Sequence, residues 1–284
     1  MRHLLKQREI FADCDTACYA NLDERQAIIM MSTLSIERFP ITIGGESAAI
    51  GTAAELTVAL DVLQGDHDRA VLEQLAPHLT RIIGDGRELQ AVLRVLAPAD
   101  QLYLIELLGS ELPAVVHNAQ ILRDILAMLA ESAVEETLLS AIGAVRLREL
   151  LATPEELADV LEWVYGESDR LMLQLLGDAH LRGLFASGHE LSLVLGMLDH
   201  PLQKELIELL GWEQVSALIH SRDDLAHLLA ALPAALSAEL LPRIPVNRLH
   251  ALIRNAQGWR ALCASLELPE IEHLQRLLGV TYAQ

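Results

Sequence analysis

The chain has 284 residues, with 21 basic and 40 acidic side chains, a formal net charge of −19, and 52% apolar but only 4% aromatic residues. Such a chain is too apolar for disorder, and its Leu- and Ala-rich apolar content favours helix over strand. The charge excludes a non-specific binder of nucleic acid or anionic membrane, and three cysteines are too few for a disulfide framework.

Residues 1–13 lack the apolar stretch and small-residue cleavage site of a secretory signal. Residues 3–34 read as two helices, 4–19 and 23–33. Residues 39–45 (Phe-Pro-Ile-Thr-Ile-Gly-Gly) are the one strand-like or loop-like stretch. Residues 48–63 resemble a degraded repeat unit, with Leu56, Ala59, Leu60 and Leu63 on one helical face. We therefore expect 1–73 to form an atypical N-terminal helical cap.

From residue 74 the chain repeats. Leu108-Gly109, Ile142-Gly143, Leu176-Gly177, Leu210-Gly211 and Leu278-Gly279 share one phase of 34 residues, and Ile244-Pro245 fills the gap. Six units follow: 74–107, 108–141, 142–175, 176–209, 210–243 and 244–277. A fixed period of this length is the signature of stacked helical modules. Within a unit, apolar residues at positions six, nine and ten mark a short first helix, as in Leu181, Leu184 and Phe185. Positions sixteen, nineteen, twenty and twenty-three mark a second helix, as in Leu191, Val194, Leu195 and Leu198. A third set runs into the next Leu-Gly, as in Leu206, Ile207 and Leu209.

Position twelve carries Asp85, Thr153, Ser187, Ser221 and Asn255, each able to cap the second helix, and Asn118 serves one residue out of phase. Asp85 with Glu88, Thr153 with Glu156 and Ser187 with Glu190 have capping-box spacing. The glycine after each Leu fits a left-handed helix terminus. Residues 278–284 begin a unit and stop, as a C-terminal tail. The longest uncharged run, 225–238, is interrupted by Pro233 and falls short of the ~20 residues of a membrane span.

This pattern places the chain near the α-solenoids, similar in general plan to tetratricopeptide and HEAT arrays, though the large aromatic and glycine positions of tetratricopeptide units are absent. The stretch Leu210-Gly211-Trp212-Glu213-Gln214-Val215-Ser216-Ala217-Leu218-Ile219 resembles the first helix of a TAL-effector DNA-binding repeat. The Leu-Gly start with two leucine-rich helices is similar to mitochondrial transcription termination factor repeats. The first resemblance implies a nucleic-acid reader. Acidic residues stand where phosphate would approach, at Asp223 and Asp224 and at Glu155 and Glu156, so DNA binding is not carried over.

Residues that could carry chemistry are few. Cys14 and Cys18 lie four apart, with His3 near; they read as structural thiols or as part of a metal site, and zinc would need further ligands. Cys263 takes a core position. His78 and His180 share position five with Arg146 and Arg248, either as a polar outer edge or as a ladder that contacts a ligand. Gly44-Gly45-Glu46-Ser47 precedes a helix without the residues of a phosphate loop, and a turn is favoured. Trp163 at position twenty-two and Trp212 at position three lie outside the repeating core. Leu193 and Met197, at positions eighteen and twenty-two of the next unit, share the register of Asp159 and Trp163. Such a row either packs between units or lines a groove with an acidic border.

The sequence thus predicts an all-α protein, a right-handed α-solenoid of six 34-residue helical repeats with the N-terminal cap. It predicts binding of a protein or peptide, basic in character, through Asp159, Trp163, Leu193, Met197 and Trp212, as a scaffold or adaptor rather than an enzyme. No catalytic, cofactor or metal residue is assigned. The alternatives are a TAL-effector-like nucleic-acid binder, and a small-molecule binder or enzyme using the N-terminal region around Cys14, Glu46 and His67. The last unit, with four arginines against three acids, is a candidate for self-association. The expected location is cytoplasmic, without membrane insertion; a secreted effector lacking a cleavable signal is the alternative.

Overall fold

The computed structural model describes residues 37–43, 46–63, 67–129, 131–253, 256–264 and 268–278. The two helices expected within 3–34, Cys14, Cys18 and His3, Gly44-Gly45, the Asn255 cap and the tail 279–284 lie outside those residues. The described chain is predominantly helical. No helix among the described residues is long and apolar enough to cross a membrane.

The strand-like stretch forms strand β1 (Phe39–Ile43), antiparallel to β2 (Glu46–Ile50), with Phe39 opposite Ile50 and Ile43 opposite Glu46. Phe39, Ile41 and Ile50 face the core while Pro40 and Thr42 face out, the alternation expected of a half-buried strand. The Gln74 side-chain amide pairs with the β1 backbone: it accepts from Thr42 N–H at 2.8 Å and donates to Thr42 O at 3.1 Å. Residues 48–50, expected to open a degraded unit, are therefore strand, and the N-terminal segment is not purely helical. The helix expected behind them is present as α1 (Ala53–Leu63), where Thr52 Oγ1 accepts from Glu55 N–H.

The remaining helices follow in order: α2 (Asp68–Leu75), α3 (Leu79–Ile82), α4 (Gly86–Leu93), α5 (Pro98–Leu108), α6 (Leu112–Val115), α7 (Ala119–Leu126) and α8 (Ser132–Leu150, broken at Gly143). Then come α9 (Pro154–Leu161), α10 (Glu167–Leu176), α11 (Asp178–Leu184), α12 (Gly188–Leu195), α13 (His200–Leu210) and α14 (Trp212–Ala217). The last are α15 (Arg222–Ala231), α16 (Ala234–Leu240), α17 (Val246–Ile253), α18 (Ala256–Cys263) and α19 (Leu268–Leu278). The expected second helices are α4, α7, α9, α12, α15 and α18, and α1 precedes them as a seventh.

The caps form as the sequence indicates. Asp85, Asn118, Thr153, Ser187 and Ser221 each accept a backbone N–H from the first turn of their helix. At Thr153 the box is reciprocal, since Glu156 accepts from Thr153 N–H at 3.0 Å. Replacing Thr153 by Ala leaves the Glu156 N–H without its acceptor and is expected to cost about 1 kcal/mol, read as a lower urea midpoint at neutral pH.

The repeating glycines depart from expectation in one coordinate. Gly143, Gly177 and Gly211 have φ of 78°, 74° and 84°, but their ψ values of 160°, 159° and 136° are extended, not helical. This region is nearly closed to any other residue. It lets the third helix end and the next first helix begin with one residue between them.

The second helices contact one another in succession: α1 with α4, then α7, α9, α12, α15 and α18. Their leucines, from Leu56 and Leu60 through Leu225 and Leu229, lie in one continuous core. No single helix of this length could shield such a face alone. Side chains also staple one unit to the next. His180 Nε2 lies 2.9 Å from Leu151 O, Gln214 Nε2 donates to Arg182 O at 2.7 Å, and Arg248 donates to Ser216 O at 3.1 Å. Position five is therefore occupied with the orphan carbonyls that end the preceding unit's first helix. That accounts for His180, Arg146 and Arg248 without a ligand, and His78 stacks on Phe39 with ring centroids 3.9 Å apart.

Candidate functional site

Counting ten residues on from each cap of the second helices, Thr52, Asp85, Asn118, Thr153, Ser187 and Ser221, gives Val62, Val95, Met128, Trp163, Met197 and Ala231. All six are apolar, and all sit just beyond or at the C-terminal end of a helix that contacts the next. Val62, Trp163 and Met197 are 40%, 38% and 44% exposed, and the other three are half-buried. A regular apolar row therefore follows the stack, open to solvent at Val62, Trp163 and Met197 and packed against the core at Val95, Met128 and Ala231. Its acidic neighbours are exposed: Asp61 beside Val62, Asp159 and Glu162 within a turn of Trp163, and Asp199 beyond Met197. Arg94 stands beside Val95 as the one cation in the equivalent place.

Of the five residues expected to bind a partner, four belong to this row or border it. Asp159 and Trp163 are exposed at the end of α9, and Leu193 and Met197 occupy the same register on α12, which packs against α9. Leu193 is half-buried against the core, so it contributes less surface than Met197. Trp212 belongs elsewhere. It opens α14, is half-buried, and carries the Arg243 guanidinium 4.6 Å from its ring centroid. Those two residues, with Leu210, Gly211, Glu213 and Gln214, line a separate open hollow. Tyr165 was not singled out by position, yet it is 66% exposed and donates its hydroxyl to Glu162 O at 3.1 Å.

A second periodic feature lies beneath the row. Sixteen residues past each cap, or seventeen past Asn118, come Asp68, Gln101, Glu135, Asp169, Gln203 and Ser237. Every one is polar and every one is buried. They sit in the first turn or so of the third helix of each unit, under the end of the second. Gln101 Nε2 donates to Leu93 O at 2.9 Å, and Gln203 Nε2 donates to Leu195 O at 2.7 Å. At Gln101 and Gln203 the position thus supplies a donor to a carbonyl that the second helix leaves open. In two adjacent units the residue is a carboxylic acid. Burial, the largest cause, pushes Glu135 up, while Tyr165 N–H and the nearby Ser168 hydroxyl pull it back and Glu136 pushes it up further. Asp169 is pushed up to about 7, chiefly by burial and further by Asp199 and Glu135, with Gly166 N–H pulling the other way.

Around the row, no group of three or more metal-ligating side chains is found among the described residues. Cys263 is half-buried against the core and burial pushes its thiol up, as suits a packing residue. His67 is exposed at the start of α2. Comparison with known proteins gives no matching family model, no matching curated protein and no matching solved structure.

Proposed function

We propose that the chain is a right-handed α-solenoid whose row of second-helix ends binds a protein or peptide, as a scaffold or adaptor. One observation carries this reading. Apolar side chains recur at one structural position along stacked helices, and three of them, Val62, Trp163 and Met197, remain exposed where burial of each would otherwise be favourable. Trp163 and Met197 are its centre, with Tyr165 adjacent. A tryptophan and a methionine can re-pack against varied surfaces, and tryptophan is enriched at energetic centres of interfaces. Asp61, Asp159, Glu162 and Asp199 give the row an acidic border, which suits a basic, amphipathic segment.

A displayed library of basic amphipathic peptides, selected on the full chain, tests the reading. A selected peptide is expected to bind the Trp163→Ala, Met197→Ala double variant roughly 10- to 100-fold more weakly. Its affinity should also fall as salt rises, because the border is exposed and screened. The helical circular dichroism and urea midpoint of the variant should stay near wild type. Unfolding of the variant would show that these side chains hold the stack together, and salt-independent binding would remove the acidic border from the account.

A further inference from the structure

The two edges of the β-hairpin are finished differently. β1 packs against α2, and β2 lies on the far side of β1. Thr42 turns its N–H and C=O away from β2, since both pair with the Gln74 side chain of α2. In the antiparallel register Thr42 stands opposite Ser47, and Pro40 stands opposite Ala49. Residues opposite one another in such a ladder either both bond across it or both turn outward. Ser47 and Ala49 therefore direct their N–H and C=O groups away from β1, along the outer edge of β2. The β1 edge is closed, because Pro40 has no N–H to offer and Gln74 satisfies Thr42. On the β2 edge, the backbone groups of Ser47 and Ala49 have no partner among the described residues.

Nor do the side chains blunt that edge. Exposed edge strands are usually protected by a Lys, a Pro or a bulge. Ser47, Ala48 and Ala49 are small, uncharged and exposed, and the register runs without a bulge from Phe39 opposite Ile50 to Ile43 opposite Glu46. The Ser47 hydroxyl lies 3.3 Å from that of Thr42, on the solvent face of the sheet. Ala48 stands opposite the buried Ile41 yet is itself exposed, so cover over the inner face runs out at the middle of β2.

We infer that β2 is a docking edge for a second copy of this chain, which adds its own β2 antiparallel across a two-fold axis to make one continuous sheet. The strand is complementary to itself. With Ala48 opposite the second copy's Ala48, each Ser47 meets an Ala49, and every one of these residues donates its N–H and accepts at its C=O. Glu46 falls opposite the second copy's Ile50, so the ladder pairs no like charges. The three central side chains are too small to hold two hairpins apart. A strand of five residues makes a small contact, and each copy carries a net charge of −19. The association is therefore weak and strengthens as salt rises, opposite in sign to the peptide binding proposed above. It does not depend on that binding.

Sedimentation equilibrium of the full chain, from about 10 µM to about 1 mM, tests the edge. In ~0.5 M salt the mean mass is expected to climb from one chain of 31.2 kDa toward two, and to climb less in ~0.05 M salt. Residue-resolved amide exchange on the unsubstituted protein should show the Ser47 and Ala49 amides gaining protection roughly 10-fold over the same concentrations. Ala49→Pro removes one outward donor and no bond to β1, and should raise the concentration needed for association at least ~10-fold. Ala48→Lys and Ala48→Glu each set like charges face to face in this register. Each alone should remain a single chain, while an equal mixture of the two should pair. Helical circular dichroism should be unchanged in all three variants, since Ala48 and Ala49 are exposed. A wild-type mass that stays at one chain throughout overturns the inference. So does a dimer that persists in Ala49→Pro and in both Ala48 variants, which would sit on another surface, such as the arginine-rich last unit.

Discussion

Asp169→Asn is expected to stabilise the protein at pH 8, and to do so by an amount that vanishes in acid. The carboxyl is buried and lifted from 3.8 to about 7 in the folded chain. Its unfolded counterpart ionises near the ordinary value. Between those two pH values the folded state holds the proton and the unfolded state does not, so stability falls as pH rises through the window and is level above it. A shift of this size corresponds to at most roughly 4 kcal/mol, and relaxation or water entry will reduce what is realised. Asparagine removes the charge, keeps the shape, and brings the amide donor that Gln101 and Gln203 already use. Urea unfolding followed by circular dichroism at about pH 4 and pH 8 decides the matter. Wild type should lose stability over that interval, while the variant should hold steady from this site. Parallel curves for the two proteins would mean that Asp169 is ionised without penalty, and would place water or a cation beside it.

How much of this could be read before the structure depends on which column of the repeat one follows. The apolar columns and the caps were legible because each is a strong, local signal. A leucine at i, i+3 and i+4 after a Ser, Thr, Asp or Asn leaves little room for another conformation. Thr52 and α1 were half-legible: the leucines were visible, but the hairpin before them shares no residues with the repeat. The polar column was equally periodic and was missed, because Gln101, Glu135, Asp169, Gln203 and Ser237 differ in chemistry and only burial unites them. The row from Val62 to Ala231 was seen only at Trp163 and Met197. A one-residue slip at Asn118 moves Met128 out of phase, and valine reads as core wherever it falls. Position five illustrates the converse. In a list of residues Arg146, His180 and Arg248 read as a polar outer edge or as a ligand ladder, and only the fold shows that carbonyls of the preceding unit already occupy them.

Asp224 is the opposite kind of buried acid, and its removal is expected to be the most damaging single polar change in the stack. It is 7% exposed, yet it holds four donors. Its Oδ2 accepts from His220 N–H at 3.0 Å and Ser221 N–H at 2.8 Å, and from the Ser221 hydroxyl at 2.9 Å. Its Oδ1 accepts from His189 N–H at 3.2 Å, across the boundary between α12 and α15. That boundary is closed. A Cβ on Gly188 would lie 2.9 Å from Asp224 Cβ and 2.8 Å from Leu228 Cδ1, and Gly188 N–H itself donates to Leu218 O at 2.9 Å. The close approach leaves the His189 N–H no ready substitute for its partner. Burial alone would push the Asp224 carboxyl up, but the Ser221 hydroxyl and the His189, Ser221 and His220 backbone donors together outweigh it and hold it below its ordinary 3.8. Here the unfolded state takes the proton first. The stabilisation from Asp224 is therefore present above the ordinary carboxylate range and is lost as pH falls through the lowered folded value, the reverse of Asp169. Asp224→Ala strands three backbone donors at once, so a loss of roughly 2–4 kcal/mol is expected at pH 7, well beyond the single cap at Thr153. Asp224→Asn should recover part of it, since one oxygen can still serve His189 while its amide faces donors it cannot accept from. Urea midpoints for the three proteins at neutral pH give the comparison. If alanine costs no more than the Thr153 variant, the boundary between these two units is open to water, and the tight stacking that places Met197 and Ala231 in one row would need another cause.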